Sequence, residues 1–275
     1  MTQKFKILVT RKWPKKVEEK LLATFDTTLN VEDKPLSESE LIEAMKSYDA
    51  LLPTVTDPIT DKIISTPDKK VQIIGNFGVG FNNIDIDSAK NNNIVVTNTP
   101  EVLTDCTADI AMLLMLGVAR RGSEGEFHVR KNEWSGWRPT HMMGTKVTGK
   151  TLGLIGMGRI GKAVAKRLNI LGVKIFYHNR NRLKNNEEKA LKAKYFENLD
   201  LMIPQCDIIS IHCPYTPETF HLLSKKRLKL LKRNCIIINT SRGEIIDEQA
   251  LASLLFKKKI GGAGLDVFEH EPEIT

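Results

Sequence analysis

Residues 151–172 read TLGLIGMGRIGKAVAKRLNILG, and no other stretch restricts the fold as tightly. Gly156, Gly158 and Gly161 form a G-x-G-x-x-G spacing directly after an apolar run and directly before an amphipathic one. In a strand–turn–helix unit the first glycine permits a tight turn and the second lets the backbone approach a pyrophosphate. The third lets helix and strand pack closely. Free amides and the positive end of the helix dipole then face the phosphates. A bare glycine triplet is weak evidence, because glycine turns are common. Set between this strand and this helix, with Gly172 as a natural helix stop, it predicts a dinucleotide site. The candidates there are Gly156, Gly158, Arg159, Ile160 and Gly161.

The rest of the chain keeps the same rhythm. Strand-like runs at 6–10, 49–55, 71–77 and 93–99 alternate with helical or turn-like segments, as at 15–25. Further runs follow at 151–156, 173–179, 207–213, 235–240 and 261–268. They are mostly apolar rather than alternating, as expected of strands covered on both faces of a parallel sheet. The pattern predicts an α/β fold of two doubly wound parallel-sheet domains with right-handed crossovers. A long apolar helix is predicted over 104–120, with Thr104 as its cap. The boundary is placed near residue 99, giving domains over 1–98 and 99–275. No short tandem repeat or low-complexity tract interrupts them.

The second strand of the glycine unit ends in YHNRNR, residues 177–182. An NAD site would put Asp or Glu here to bind the ribose hydroxyls. His178 and Asn179 occupy the position instead, followed by Arg180 and Arg182. An acid would repel a 2′-phosphate, whereas arginine holds it through a forked, charge-assisted hydrogen bond. NADP(H) is therefore preferred, with NAD(H) the alternative, and Arg180 is the favoured ligand beside Asn179. One of the two arginines is expected to be an ordinary loop charge.

Composition narrows the partners. No apolar run approaches the roughly 20 residues of a membrane span, so no membrane partner is expected. The first ten residues enter a strand-like run without a signal-peptide hydrophobic region. The four cysteines lack CxxC spacing and lie in apolar runs, which predicts reduced core thiols, a cytoplasmic protein and no metal site. Net charge is +8, with 28 Lys and Arg against 19 Asp and Glu in residues 99–275. That excess suits a phosphate-bearing ligand. The runs at 225–233 and 257–259 also lie where solvated amphipathic helices are expected. No nucleic-acid motif accompanies the charge.

Three segments together carry a family resemblance: LGLIGMGRIGKAVAKRLNILGVKIFYHNR, CDIISIHCPYTPETFHLL and LKRNCIIINTSRGEIIDEQAL. They resemble the successive signatures of the D-isomer-specific 2-hydroxyacid dehydrogenases. NFGVGFNNIDI and VTNTPEVLTDCTADIAMLLML resemble that family's substrate loop and inter-domain helix. TPEVLTDCTAD and WSGWRP look most like the glyoxylate/hydroxypyruvate reductases. The resemblance implies a flavodoxin-like substrate domain in residues 1–98 and a Rossmann nucleotide domain in residues 99–275. It also implies hydride transfer from a nicotinamide to a small 2-oxo acid, giving a 2-hydroxy acid.

That chemistry needs a cation to hold the carboxylate and polarise the carbonyl, and an acid to protonate the forming alkoxide. Arg242, in NTSRG after an apolar run, fits the first role. By resemblance, the backbone of Val79 and Gly80 binds the substrate carboxylate. Asp266 contacts the nicotinamide end of the cofactor, and Thr107, Cys213, Pro214 and Thr240 match cofactor-contacting positions. Glu271, 29 residues after Arg242, matches the glutamate that keeps a catalytic histidine protonated. The resemblance puts that histidine past residue 275 and calls for a closing helix that these residues lack. The expectation is a C-terminally truncated enzyme with severely impaired turnover. Trp134 and Trp137 match a dimer-forming arm, implying a homodimer. Two other readings compete: an NAD-linked D-2-hydroxyacid dehydrogenase, and a non-catalytic nucleotide-binding module of the co-repressor type.

Overall fold

A computed structural model describes residues 4–274. The chain divides into two compact units, Met1–Val102 and Leu103–Thr275.

The first unit holds strands β1 (Lys6–Val9), β2 (Asp26–Leu29), β3 (Ala50–Leu52), β4 (Ile73–Gly75) and β5 (Val95–Thr97). Helices α1 (Lys15–Thr24), α2 (Glu38–Ser47), α3 (Asp61–Ile64) and α4 (Ile86–Asn91) connect them. All strands pair in parallel, in the order β2-β1-β3-β4-β5. That is the flavodoxin-like order. The start of α2 is written into the chain: Ser37 and Glu40 form a reciprocal capping box that satisfies two otherwise orphaned donors. Leu8, Leu51 and Ile74 line one sheet face and pack with Leu41, Met45, Ile63 and Ile64. On the opposite face the register puts Ile73 beside Val95, and these stay 46% and 58% exposed.

The second unit opens on α5 (Thr104–Ala119) and α6 (Gly122–Arg130). Its strands are β6 (Thr151–Ile155), β7 (Lys174–His178), β8 (Ala193–Tyr195), β9 (Ile208–Ile211), β10 (Ile236–Asn239) and β11 (Gly262–Leu265). Helices α7 (Arg159–Ile170), α8 (Asn185–Leu191), α9 (Leu199–Met202), α10 (Lys225–Leu228) and α11 (Glu248–Phe256) alternate with them. The order β11-β10-β9-β6-β7-β8, all parallel, is that of the dinucleotide-binding fold. Separate apolar clusters form around Met115, Val164 and Leu168, and around Met202, Leu228 and Leu251. The six isoleucines of β9 and β10, with Ser210 and Asn239, are thus buried throughout.

Several expectations need correction. Thr104 is the first residue of α5 rather than its cap, and Leu103 stands at the cap position without a side-chain bond. Cys106 is exposed on the first turn of α5, so it is not a core thiol; Cys206 and Cys235 are buried and Cys213 half-buried, all free. Burial pushes the Cys206 and Cys213 thiols up to about 12, keeping them protonated. The basic run at 225–233 contributes only the single turn α10, and Lys257–Lys259 follow the end of α11. Among the described residues no helix is long and apolar enough to cross a membrane.

His212, just past β9, donates to or accepts from the buried Ser210 hydroxyl at 2.8 Å. Burial pulls its pKa from 6.5 down to about 4. The unfolded chain therefore takes up this proton first as pH falls. Stability should decline between pH 6.5 and about 4 by roughly 3 kcal/mol. Urea titrations across that window check it: His212→Gln should flatten the slope.

Candidate active-site residues

Parallel strands leave their carboxyl ends open to ligands, and each unit presents a turn there. In the second unit, Gly156 follows β6 with φ +96°, a conformation that favours glycine. A Cβ at Gly156 would lie 2.4 Å from the Cys213 nitrogen, so the turn also packs against the end of β9. The Gly156 amide donates to the His178 carbonyl at 2.9 Å. The Met157 amide donates to Asn179 Oδ1 at 3.2 Å. The amides of Gly158, Ile160 and Gly161 donate to no described protein acceptor. They open α7, whose first turn carries no acidic residue. Together with the dipole of a twelve-residue helix, they form an anion-binding end.

The glycines divide the work. A Cβ on Gly161 would meet the Gly156 carbonyl oxygen at 2.3 Å, so helix and turn touch there. A Cβ on Gly158 would meet nothing within 4 Å. The fold therefore does not require glycine at 158; the open space beside its backbone is what a pyrophosphate would fill. Thr240, after β10, supplies a second sign of an absent group: its hydroxyl is buried without a partner. These features fit a dinucleotide.

The adenosine-side loop after β7 is tied at several points. Asn179 receives the Met157 amide and donates to the Asn181 carbonyl at 2.8 Å. Arg182 ion-pairs with Glu188 at 2.8 Å. Arg180 is exposed and hydrogen-bonds to no described side chain. Thr107 lies half-buried on the first turns of α5, Pro214 is exposed, and the Cys213 carbonyl accepts the Ser241 hydroxyl.

Arg242 and Glu271 are brought to one end of the second sheet by Gly243. A Cβ at Gly243 would lie 1.9 Å from the Phe268 carbonyl carbon, so the turn bearing Arg242 packs directly on the segment bearing Glu271. The Arg242 carbonyl accepts from Asn239 Nδ2 at 2.8 Å, which fixes its backbone. Glu271 accepts the Phe268 amide at 2.8 Å. The Asp266 amide is held by the Asn239 carbonyl at 2.9 Å, with its side chain exposed. None of the histidines is hydrogen-bonded to Glu271 among the described residues. His221 instead pairs with Glu269 at 2.5 Å, and His178 Nδ1 meets the Phe196 carbonyl at 3.0 Å.

In the first unit the loop after β4 shows a different division. The Val79 carbonyl accepts from Asn98 Nδ2 at 2.9 Å, and the Gly80 carbonyl from Asn76 Nδ2 at 2.8 Å. The amides of Val79 and Gly80 donate to no described acceptor. The buried Asn76 is held in turn by Asn83, which also donates to the Thr54 and Asp57 carbonyls. Carbonyls pinned inward leave two amides for an anion. The role of Asn76 and Asn83 was not read from the sequence, although both flank the glycine pair in NFGVGFNN. Among the described residues no cluster of three His, Cys, Asp or Glu is placed to hold a metal.

These geometries separate two alanine substitutions. Gly158→Ala should leave the melting temperature within about 2 °C, since nothing is displaced, while weakening dinucleotide binding at least tenfold. Gly161→Ala forces helix and turn apart and should cost about 1–3 kcal/mol of stability. Thermal melts and cofactor titrations of the two variants check the split.

The comparisons agree with this architecture. Residues 112–275 match the family model described as D-isomer specific 2-hydroxyacid dehydrogenase, NAD binding domain. A glyoxylate reductase from Thermococcus litoralis is 43% identical over 271 residues, which span 97% of this chain and 81% of that protein. A glycerate dehydrogenase from Hyphomicrobium methylovorum is 35% identical over 272 residues, spanning 99% of this chain and 84% of the relative. Among solved structures, an acyclic imino acid reductase in complex with NADPH and D-Arg superposes with a TM-score of 0.87 at 29% identity. It covers 98% of this chain and 85% of its own. With a family model over most of the nucleotide unit and relatives matched nearly end to end, the chain belongs to the D-isomer-specific 2-hydroxyacid dehydrogenase family.

Proposed function

We propose that this chain reduces glyoxylate or hydroxypyruvate to glycolate or D-glycerate with NADPH. The observation that carries the substrate class is the unpaired amide pair of Val79 and Gly80, held by carbonyls that are already satisfied. Two amides at successive residues match the two oxygens of a carboxylate, and glycine beside them leaves room for close approach. A glyoxylate reductase and a glycerate dehydrogenase among the relatives support a small 2-oxo acid.

Arg242 is assigned to the substrate carboxylate and carbonyl oxygen. Its guanidinium would stabilise negative charge as it develops on that oxygen, the largest kind of electrostatic contribution in such sites. Glu271 is assigned an orienting role: its carboxylate would hold an imidazole charged so that a proton can reach the alkoxide. When bound, the cofactor supplies the hydride. The amides of Gly158, Ile160 and Gly161 would hold its pyrophosphate, with Gly156 and Arg159 shaping the turn. Thr107, Cys213, Pro214, Thr240 and Asp266 would line the nicotinamide side. Asn179 and Arg180 would meet the adenosine ribose.

NADPH is preferred over NADH in this reading because the loop carries no acid at residues 178–182 and keeps Arg180 exposed. The NADPH-bound neighbour is consistent with it. A cytoplasmic homodimer completes the proposal: Trp134 and Trp137 are 51% and 92% exposed and stack edge to face, an apolar pair suited to a second copy.

Single-turnover mixing of protein, NADPH and glyoxylate tests the reaction, with glycolate measured against NADPH consumed. Stoichiometric glycolate is expected, and Arg242→Lys should slow its formation by about 10²-fold, because the fork is lost. Arg180→Ala should weaken NADPH binding by about tenfold or more and leave NADH binding unchanged. An unchanged rate in the first variant, or parallel losses in the second, contradicts these assignments.

A further inference from the structure

The sequence presents two arginines after β7, and the structure distinguishes them. Arg182 Nε and Nη2 reach Glu188 Oε1 and Oε2 at 2.9 and 2.8 Å, a forked pair that uses both carboxylate oxygens. Glu188 is almost fully buried on α8. The hydroxyl of the fully buried Tyr177 donates to Glu188 Oε1 at 2.5 Å and accepts the Leu183 amide at 3.0 Å. Tyr177 thus closes the base of the 178–182 loop. Tyr195 packs 5.2 Å from the Tyr177 ring, and the Arg182 guanidinium lies 5.5 Å from the Tyr195 ring centroid.

We infer that Tyr177, Glu188 and Arg182 form a positioning lock for the cofactor-reading loop, leaving Arg180 as the arginine that selects the 2′-phosphate. This rests on the cofactor reading proposed above. A buried carboxylate beside a phosphate subsite would repel the ligand; the Arg182 fork neutralises it locally. The same fork and the Tyr177 hydroxyl hold the Glu188 carboxyl down at about 2, so the lock stays charged throughout the physiological range. Burial, with Glu188 second, pushes Tyr177 up to about 12, keeping its donor proton in place. At the tip, Asn179 ties the loop to the glycine turn through the Met157 amide. The loop is therefore anchored on both sides of Arg180, which alone among its cations is exposed and without a hydrogen-bonded partner among the described residues.

The test measures NADPH and NADH dissociation constants by protein fluorescence on the full chain, for wild type, Glu188→Gln, Tyr177→Phe and Arg180→Ala. Glu188→Gln and Tyr177→Phe should each weaken NADPH by about tenfold while changing NADH less than about threefold. Tyr177→Phe retains the ion pair, which keeps the test open if Glu188→Gln does not fold. Equal losses for both cofactors would reduce the cluster to a structural role and overturn the inference. Tighter NADPH binding in Glu188→Gln would also overturn it, by showing that a released Arg182 reads the phosphate. A wild type without NADPH preference, with Arg180→Ala equally indifferent, would overturn the cofactor reading and the lock with it. A wild type that prefers NADPH through Arg180, with both lock variants unchanged, would overturn the lock alone.

Discussion

Backbone amides without protein acceptors are the constraint on which the candidate site depends. They occur in two places, at Val79–Gly80 after β4 and at Gly158, Ile160 and Gly161 where α7 begins. An amide without a protein acceptor is met by water or by a ligand, and several aimed together at a helix start or a turn make a ready anion site. Here the surroundings hold the amides in place without satisfying them. Asn76 and Asn98 take the carbonyls of the first loop, and Asn179 takes the Met157 amide just before the second group. Both groups lie at carboxyl ends of parallel strands, where no further strand residue competes for them.

Much of this was legible in the sequence because central strands and special turns leave strong marks. β9 and β10 are buried at every position and read as mostly apolar runs, with only Ser210 and Asn239 polar. The glycine spacing gave the turn and the helix start directly, since Gly156 needs a positive φ and Gly161 touches backbone. What escaped were β2 and β8. Each is the outer strand of its sheet, and β2, DTTL, alternates exposed and half-buried residues. An edge strand needs no apolar run, so a search for such runs passes over it. Thr104 failed as a cap for a different reason: helix boundaries shift by a residue without changing the pattern that predicts them.

The site residues were legible to differing degrees. Arg242 and Glu271 are 29 residues apart in sequence, and only the packing of Gly243 on Phe268 explains why they belong together. The sequence favoured Arg180 over Arg182 as the phosphate ligand, but it could not show that Glu188, six residues past Arg182, occupies Arg182. Pairings of this kind depend on where α8 sets its buried face. The roles of Asn76 and Asn83 were hidden similarly, since polar residues in a loop look solvated until their partners are known.

Amide hydrogen exchange resolved to single residues tests the central claim most directly. Saturating NADPH should slow exchange at Gly158, Ile160 and Gly161, and glycolate added to the NADP-bound protein should slow it at Val79 and Gly80. Exchange unchanged at both groups, with protection appearing at other loops, would contradict the assignment of these amides as the groups that hold the ligands.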